Sequence, residues 1–153
     1  MKTADTYGHI DQRKGTYVLI LNLPESQSVT AGRLGTFDFT AGWYAYVGSA
    51  FGPGGLRGRL RHHLAPVKKP HWHVDYLRAV APVREVWALA STDVYEHVWA
   101  TVFGKYPGAA IAVPRFGASD CRCAAHLIYL PGKPLAAEFH LMTGAQVTVL
   151  AIT

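Results

Sequence analysis

Tyrosine, arginine, histidine and glutamate side chains occur along this sequence at spacings that could let them act together. Tyr17 ends the tripeptide GTY, and Tyr46 begins the tripeptide YVG. Arg59 and His63 lie four residues apart, so on a helix their side chains would share one face. Glu96 supplies a carboxylate further along the chain. A group that activates water, a fixed cation and an acidic metal ligand are what phosphodiester hydrolysis requires.

Strands are predicted around both tyrosines. Residues 16–23 (TYVLILNL) have the composition of a buried strand, which Pro24 and the polar residues after it would end. Residues 32–39 alternate in part and predict a second strand, and residues 42–49 (GWYAYVGS) predict a third. We expect these three strands to pair as an antiparallel meander.

A helix over residues 55–64 is predicted to carry Arg59 and His63. The sequence FGPGG, over residues 51–55, is typical of a turn and marks the start of this helix. Three leucines recur at every fourth position and predict its buried face: Leu56, Leu60 and Leu64.

The rest of the chain predicts further helices and strands. Residues 83–90 favour a strand over a helix because Pro82 precedes them. Residues 94–103 predict a helix, and its N-cap would be one of Ser91, Thr92 or Asp93. The other predicted elements are a buried helix over residues 72–79, a short edge segment over 109–113, and strands over 126–130 and 146–152. This order predicts a single α+β domain over residues 1–153, with a small mixed or antiparallel sheet flanked by helices.

Composition limits the class of protein. Half of the 153 residues are hydrophobic and 16% are charged, which is typical of a packed globular protein rather than a disordered one. No apolar run approaches the roughly 20 residues that a transmembrane helix needs. Residues 1–14 are polar and lack the apolar stretch of a signal peptide, so we expect a cytoplasmic protein with no membrane partner.

Positive charge is concentrated in residues 57–78. This segment holds six basic residues and one acid, so its net charge equals the +5 of the whole chain. A local positive field attracts polyanions, of which nucleic acid is the obvious one, while a solvated basic helix is the alternative. The candidates for contact with nucleic acid are Arg57, Arg61, Lys68, Lys69, His71 and His73.

Two cysteines allow a second metal hypothesis. Cys121 and Cys123 are separated by one residue, so a disulfide between them would be strained. Together with His126 they could bind Zn²⁺ if His71 or His73 supplied a fourth ligand, which would imply a zinc-dependent enzyme or scaffold. Structural thiols without metal are the alternative.

The order of these features resembles the GIY-YIG nuclease superfamily. The two tripeptides, then Arg59 with His63, then Glu96 follow one another as the motifs of that superfamily do. Residues 71–77 (HWHVDYL) and 117–127 (GASDCRCAAHL) are similar to its Uri-type endonuclease subgroup, formerly a domain of unknown function.

The resemblance implies a metal-dependent endodeoxyribonuclease acting in repair, recombination or restriction-type processing, with a 5′-phosphate and a 3′-hydroxyl as products. It implies one Mg²⁺ or Mn²⁺ ion bound by Glu96, with Tyr17 helping to activate water and Tyr46 supporting the site. Arg59 would hold the scissile phosphate of the DNA partner, and His63 would hydrogen-bond the tyrosine, the phosphate or the water.

The resemblance covers a core of about residues 14–130. It leaves residues 131–153 as a C-terminal extension, whose strand-like end either extends the sheet or mediates an oligomer such as a dimer.

The chain departs from the superfamily pattern in three ways. Thr16 stands where isoleucine is usual, and Tyr46 follows Tyr17 by 29 positions, a long separation that fits the subgroup. Many members have an asparagine after the glutamate helix, but the only asparagine here is Asn22. That role is either vacant or filled by Ser119, Asp120 or His126.

The same side chains also have structural interpretations. The tyrosines could be ordinary sheet aromatics, Arg59 could face solvent, and Glu96 could stabilise the start of its helix through the helix dipole. His71 and His73 could contact DNA or hold the core through Asp75, which could form an exposed pair with Arg78. A non-catalytic nucleic-acid-binding module that uses residues 57–78 is the alternative function.

Overall fold

The computed structural model describes residues 12–70, 72–116 and 125–152. Its strands are β1 (Gly15–Leu23), β2 (Gln27–Thr30), β3 (Thr36–Phe39), β4 (Gly42–Ala50), β5 (Val83–Ala90), β6 (Leu127–Leu130) and β7 (Thr148–Ala151). Its helices are α1 (Gly55–Leu64), α2 (His73–Arg78), α3 (Glu96–Gly104) and α4 (Ala136–Thr143), with a 3-10 helix over Gly32–Leu34. Five strands form one sheet in the order β6-β4-β1-β5-β7, and each pairing within it is antiparallel. The predicted α+β class is confirmed.

β1 is the central strand because its apolar residues are buried on both faces. It pairs with β4 on one side and with β5 on the other. Side chains alternate across a strand, so Tyr17 and Leu19 face one layer of the core while Val18 and Ile20 face the other. The predicted strand at residues 16–23 is therefore confirmed, with a core on each side.

Helices cover both faces of the sheet. α1 and α2 pack on the face that carries Tyr17, and Leu56 and Leu60 of the predicted leucine row are buried there. α3 and α4 pack on the opposite face through aromatic side chains that include Phe103 and Phe139. Within the described ranges, none of the helices is long and apolar enough to cross a membrane.

The predicted three-stranded meander is wrong. Residues 32–39 do not form one strand, because Gly32 and Gly35 adopt φ angles of +53° and +122° that interrupt extended backbone. β3 begins after this interruption and pairs with β2, a strand that was not predicted in the polar sequence after Pro24. β1 therefore pairs directly with β4, and the separate β2–β3 pair lies in the connection between them.

The start of α3 also differs from the prediction. The helix begins at Glu96, after Tyr95, and no side chain forms a hydrogen bond at its cap. Ser91, one of the predicted N-caps, instead accepts a hydrogen bond from the backbone N–H of Asp93 at 3.0 Å, in the turn before the helix. The predicted N-cap is therefore wrong, because the chain makes that turn before α3 starts.

The C-terminal extension completes the core. β7 pairs with β5, which confirms that this segment extends the sheet, while its role in an oligomer stays a prediction. α4 was not predicted, because its apolar residues do not form a single row at helical spacing. Phe139 on α4 is fully buried, and its ring centroid lies 5.2 Å from that of Phe103 and 5.2 Å from that of Trp87.

Replacing Phe139 with alanine should lower the free energy of unfolding by about 3–5 kcal/mol, because it removes a fully buried aromatic ring from this cluster. Urea unfolding of purified protein would measure the change. Leu141→Ala on the same helix is the matched control, since Leu141 is 84% exposed and should change stability by no more than about 0.5 kcal/mol. Equal effects of the two substitutions would show that α4 is not part of the folded core.

Candidate active site

The register of β1 and β4 brings the two candidate tyrosines onto one face of the sheet. Tyr17 pairs with Gly48 and Leu19 pairs with Tyr46, so the tyrosines are diagonal neighbours across the two strands. Tyr17 is fully buried and Tyr46 is 7% exposed. A Cβ at Gly48 would lie 2.5 Å from Cζ of Tyr17, so the phenol lies across β4 only because position 48 is glycine.

α1 brings His63 and Arg59 to the Tyr17 phenol. The Tyr17 hydroxyl lies 2.7 Å from Nε2 of His63 in a buried hydrogen bond. The ring centroids of Tyr46 and His63 are 6.2 Å apart. Arg59 is within hydrogen-bonding reach of the same phenol, and its Cζ lies 4.6 Å from the centroid of the Trp72 ring. This cation–π contact holds the half-buried guanidinium at the site, so Arg59 does not simply face solvent.

Glu96, the first residue of α3, lies beside the end of β4. Oγ of Ser49 donates a hydrogen bond to Oε1 of Glu96 at 2.9 Å, and Nδ1 of His126 lies 2.9 Å from Oε2. β6 pairs with β4 from Trp43 to Tyr46, so the part of β4 that holds Ser49 lies beyond the end of this pairing. The Glu96 side chain occupies this edge of the sheet and is 19% exposed.

Both candidate tyrosines are neutral phenols. Burial, and next the neighbouring Tyr46, raises the pKa of Tyr17 well above its ordinary value, while the Arg59 guanidinium lowers it. Burial, followed by the charge of Glu96, also raises the pKa of Tyr46 well above its ordinary value. Since the Glu96 carboxylate affects the pKa of both phenols, it belongs to the same site although α3 packs on the opposite face of the sheet.

The carboxylate and the imidazole of the site have opposite responses to burial. Burial alone would raise the pKa of Glu96, but hydrogen bonds from His126 and Ser49 outweigh it, and the pKa lies below its ordinary value. Burial, together with the charge of Arg78, lowers the pKa of His63 to about 3. The site therefore joins an ionised carboxylate, a neutral imidazole, two neutral phenols and a guanidinium.

A second buried cluster is centred on Asp75 of α2. The Asp75 carboxylate accepts the backbone N–H of Trp72 at 3.0 Å, and its Oδ2 lies 3.1 Å from Nε2 of His62. Nε of Arg78 lies 3.5 Å from Oδ1, and the side chains of Asp75 and Arg78 are 1% and 7% exposed. The expectation of an exposed Asp75–Arg78 pair is therefore wrong. The pair is buried because Arg78 donates to the Ala65 carbonyl at 2.9 Å and so packs α2 against the end of α1.

Two places among the described residues offer atoms that could bind a metal ion. One is the Glu96 carboxylate. The other consists of His62, His63 and Asp75, whose candidate ligand atoms lie within 4.8 Å of one another. A divalent ion at the second place would lie against the Arg78 guanidinium, whose positive charge opposes binding. Glu96 is therefore the better metal candidate.

The basic candidates lie around the site rather than in it. Arg57 and Arg61 occupy a different row of α1 from Arg59, and Arg61 is exposed. Lys68 and Lys69 are exposed in the segment after α1, where they line a pocket of about 210 Å³ that also reaches His62, Asp75 and Arg78.

Several other candidates are not brought to the tyrosines. His73 begins α2, and its ring centroid lies 5.6 Å from that of Phe116. Nδ1 of His126 is directed at Glu96, a position consistent with its expected role in place of the missing asparagine. Outside the described residues lie His71, Ser119, Asp120, Cys121 and Cys123, so the zinc hypothesis stays a prediction.

Sequence reasoning missed two residues that contact the site. Ser49 directly follows the YVG tripeptide, and alternation along β4 turns its side chain to the face opposite Gly48. That alternation, combined with a glutamate expected at the site, could have identified Ser49. Trp72 holds Arg59 through its ring, and the sequence gave no signal for this contact, which depends on how α1 and α2 pack.

Stability should fall as the pH is lowered because of His63. In the unfolded chain this histidine binds a proton below about pH 6.5, but in the folded protein burial lowers its pKa to about 3. Between these values the unfolded state binds more protons, so the free energy of unfolding decreases by up to about 1.4 kcal/mol per pH unit. Urea unfolding across that range should show a shallower pH dependence for His63→Gln than for wild type.

His140→Gln is the control for this measurement, because His140 is exposed on α4 and should keep the wild-type pH dependence. Parallel curves for wild type and His63→Gln would contradict the assignment of His63 as a neutral buried imidazole.

Comparison with known proteins places the chain in one family. Residues 16–146 match the family described as domain of unknown function DUF123. No curated protein and no solved structure matches the chain. The matched segment begins in β1, ends just before β7 and contains the tyrosines, α1 and the Glu96 helix. The chain therefore belongs to the DUF123 family.

Proposed function

We propose that the chain is a divalent-metal-dependent endonuclease that hydrolyses DNA phosphodiester bonds, and that its family is the Uri-type subgroup of the GIY-YIG nucleases. The observation that carries the proposal is the convergence of Tyr17, Tyr46 and Arg59 at one end of the β1–β4 pair, with the Glu96 carboxylate beside them. A purely structural role would account for two buried phenols. It gives no reason for an ionised carboxylate and a guanidinium to act on the same pair.

Glu96 is the residue that would hold Mg²⁺ or Mn²⁺. Its carboxylate is partly exposed, and Ser49 and His126 each contact one of its oxygens. A carboxylate oxygen has more than one lone pair, so these contacts orient the group without using up its capacity as a ligand. Mg²⁺ is usually bound through one or two carboxylates and keeps several waters, so the donor set fits. When bound, the ion supplies stabilisation of the phosphoryl oxygen and of the leaving oxygen.

Arg59 would hold the scissile phosphate. The planar guanidinium matches the oxygens of a phosphate in two parallel hydrogen bonds, and the Trp72 ring beneath it fixes its plane. The same cation lowers the pKa of Tyr17. Arg59 would therefore bind the substrate and favour loss of the Tyr17 proton at once.

Tyr17 would orient and deprotonate the attacking water. Its raised pKa makes a free phenolate rare, so the phenol must give up its own proton as it accepts one from water. Nε2 of the neutral His63 lies 2.7 Å away and is the nearest acceptor in this hydrogen bond. The negative charge of a bound phosphate would raise the proton affinity of His63, which burial otherwise keeps low. The water oxygen then forms a bond to phosphorus as the bond from phosphorus to the 3′ oxygen breaks.

The basic residues around the site would bind the DNA backbone. Arg57 and Arg61 on α1, with Lys68 and Lys69 after it, place positive charge next to the Tyr17 cluster. Contacts of this kind neutralise phosphates and do not read sequence. A cytoplasmic location, where DNA is accessible, is part of the same proposal.

Cleavage of DNA should require both the carboxylate and the phenol. We expect wild-type protein to nick or linearise plasmid, single-stranded or branched DNA when Mg²⁺ or Mn²⁺ is present. Glu96→Gln and Tyr17→Phe should each lower the rate at least about 100-fold, because one removes the metal ligand and the other removes the proton acceptor. Gel analysis of the products over time measures the rate.

Two matched substitutions control for the loss of a carboxylate or a phenol elsewhere. Glu138→Gln lies on the exposed side of α4, and Tyr129→Phe lies on β6 away from Arg59. Both should cleave at close to the wild-type rate. Cleavage that persists in Glu96→Gln or Tyr17→Phe would refute the assigned site. Binding of DNA by wild type with no cleavage under any of these conditions would instead favour the non-catalytic nucleic-acid-binding module.

DNA affinity should depend on Lys68 and Lys69 through charge. In a Glu96→Gln background that prevents cutting, Lys68→Ser with Lys69→Ser should weaken binding and reduce the slope of log affinity against log salt by about 0.9 per lost phosphate contact. Fluorescence anisotropy of a labelled duplex at several salt concentrations measures both quantities. Lys105→Ser, an exposed lysine after α3, should leave the slope unchanged. An unaltered slope in the double variant would remove this surface from the proposed interface.

A further inference from the structure

Asp75 occupies the centre of the segment HWHVDYL, for which the proposed chemistry has no role. The carboxylate is almost completely buried, and its two oxygens have different neighbours. Oδ2 accepts the backbone N–H of Trp72 and lies 3.1 Å from Nε2 of His62. Oδ1 lies 4.0 Å from Nδ1 of His63 and 3.5 Å from Nε of Arg78. One oxygen is thus held in place while the other faces the histidine that contacts the catalytic phenol.

The position of Oδ1 favours one tautomer of His63. A neutral imidazole has its proton on Nδ1 or on Nε2, and the other nitrogen carries a lone pair. With the proton on Nδ1, the N–H dipole faces the Asp75 carboxylate. With the proton on Nε2, a lone pair would face that negative charge at 4.0 Å in a buried site, where electrostatic repulsion is weakly screened.

The other nitrogen of His63 leads to the same tautomer independently. Arg59 can only donate hydrogen bonds, so within reach of the Tyr17 phenol its partner is the phenol oxygen. The Tyr17 hydroxyl proton then needs an acceptor, and Nε2 of His63 lies 2.7 Å away. Nε2 can accept only when the ring proton is on Nδ1.

Arg78 keeps the carboxylate and the imidazole in fixed positions. Its Nη1 donates to the carbonyl of Ala65 at 2.9 Å, and its Nη2 donates to the carbonyl of His62 at 3.3 Å. These bonds join α2 to the C-terminal end of α1. The helix that carries Asp75 is thereby attached to the helix that carries His63.

We infer that Asp75 is a positioning residue, whose carboxylate holds the His63 proton on Nδ1 and so keeps Nε2 as the acceptor for the Tyr17 hydroxyl. The consequence for catalysis rests on the proposed nuclease function. The phenol could pass its proton to His63 while it takes one from water, and Asp75 would stabilise the imidazolium that forms. The segment HWHVDYL thus serves proton transfer at Tyr17 without touching the substrate.

The tautomer can be read directly in the resting protein, without DNA or metal. Long-range ¹H–¹⁵N correlation spectra of labelled protein at neutral pH identify the protonated nitrogen of each histidine ring. We expect Nδ1–H for His63 in wild type and also in Tyr17→Phe, which removes the partner of Nε2 but keeps Asp75. Asp75→Asn should move the proton wholly or partly to Nε2.

Two spectral outcomes overturn the inference. One is Nε2–H in wild type, and the other is loss of Nδ1–H in Tyr17→Phe, which would mean that the phenol and not Asp75 sets the tautomer. Neither depends on Asp75→Asn being folded. The matched control Asp38→Asn replaces an exposed aspartate on β3 and should leave the His63 signals unchanged.

Kinetics give a second test that separates this inference from the nuclease proposal. Folded Asp75→Asn should lower kcat by about 100-fold or more with little change in KM for DNA, as expected when a proton acceptor is lost but substrate contacts remain. A wild-type kcat in folded Asp75→Asn would overturn the positioning role and leave the nuclease proposal intact. Absence of cleavage by wild type would refute the nuclease proposal, while the spectra would still decide the tautomer.

Discussion

The hydrogen bond between the Tyr17 hydroxyl and Nε2 of His63 is the interaction on which the rest of the site depends. A phenol hydroxyl inside a protein core needs a partner, because leaving it unsatisfied costs about 1–3 kcal/mol. The phenol reaches that partner only because Gly48 on the neighbouring strand has no side chain. His63 is available only because the leucine row of α1 packs this helix on the same face of the sheet. Local sequence, strand register and helix packing are therefore all needed for one hydrogen bond.

The site also combines groups from both faces of a single sheet. α1 approaches the tyrosines from one face, whereas α3 packs on the other and presents Glu96 at its first residue. The carboxylate reaches the phenols at the edge of β4, beyond its pairing with β6. Ser49 and His126 hold it there through one oxygen each. The end of β6 thus provides the opening through which a bound ion and a phosphate could share the two groups.

Much of this arrangement was predictable because periodic patterns carry it. The apolar run at residues 16–23 specified a buried central strand, and the leucine repeat specified which face of α1 is buried and hence where Arg59 and His63 point. The order of these residues along the chain, through resemblance to a known superfamily, suggested that they meet. The structure brings them together, and the chemistry they perform stays a proposal.

Other features depend on contacts that no local pattern encodes. Two glycines with positive φ divide residues 32–39, and the sequence alternation there did not reveal them. The exposed pair expected for Asp75 is buried, because burial on such a short helix follows from the packing of α2 against α1 and not from its own spacing. α4 has apolar residues without a single row, so only its contact with the aromatic cluster accounts for it.

The central claim is that one carboxylate, one guanidinium and two phenols together hold a metal ion and a backbone phosphate. A crystal structure of the protein with a DNA oligonucleotide and Mn²⁺, with the ion located by its anomalous signal, tests this most directly. The account predicts one manganese ion with Glu96 as its protein ligand, and a phosphate between Arg59 and the Tyr17 hydroxyl. Manganese bound at His62 and Asp75 instead, or DNA bound with no phosphate near Arg59, would contradict it.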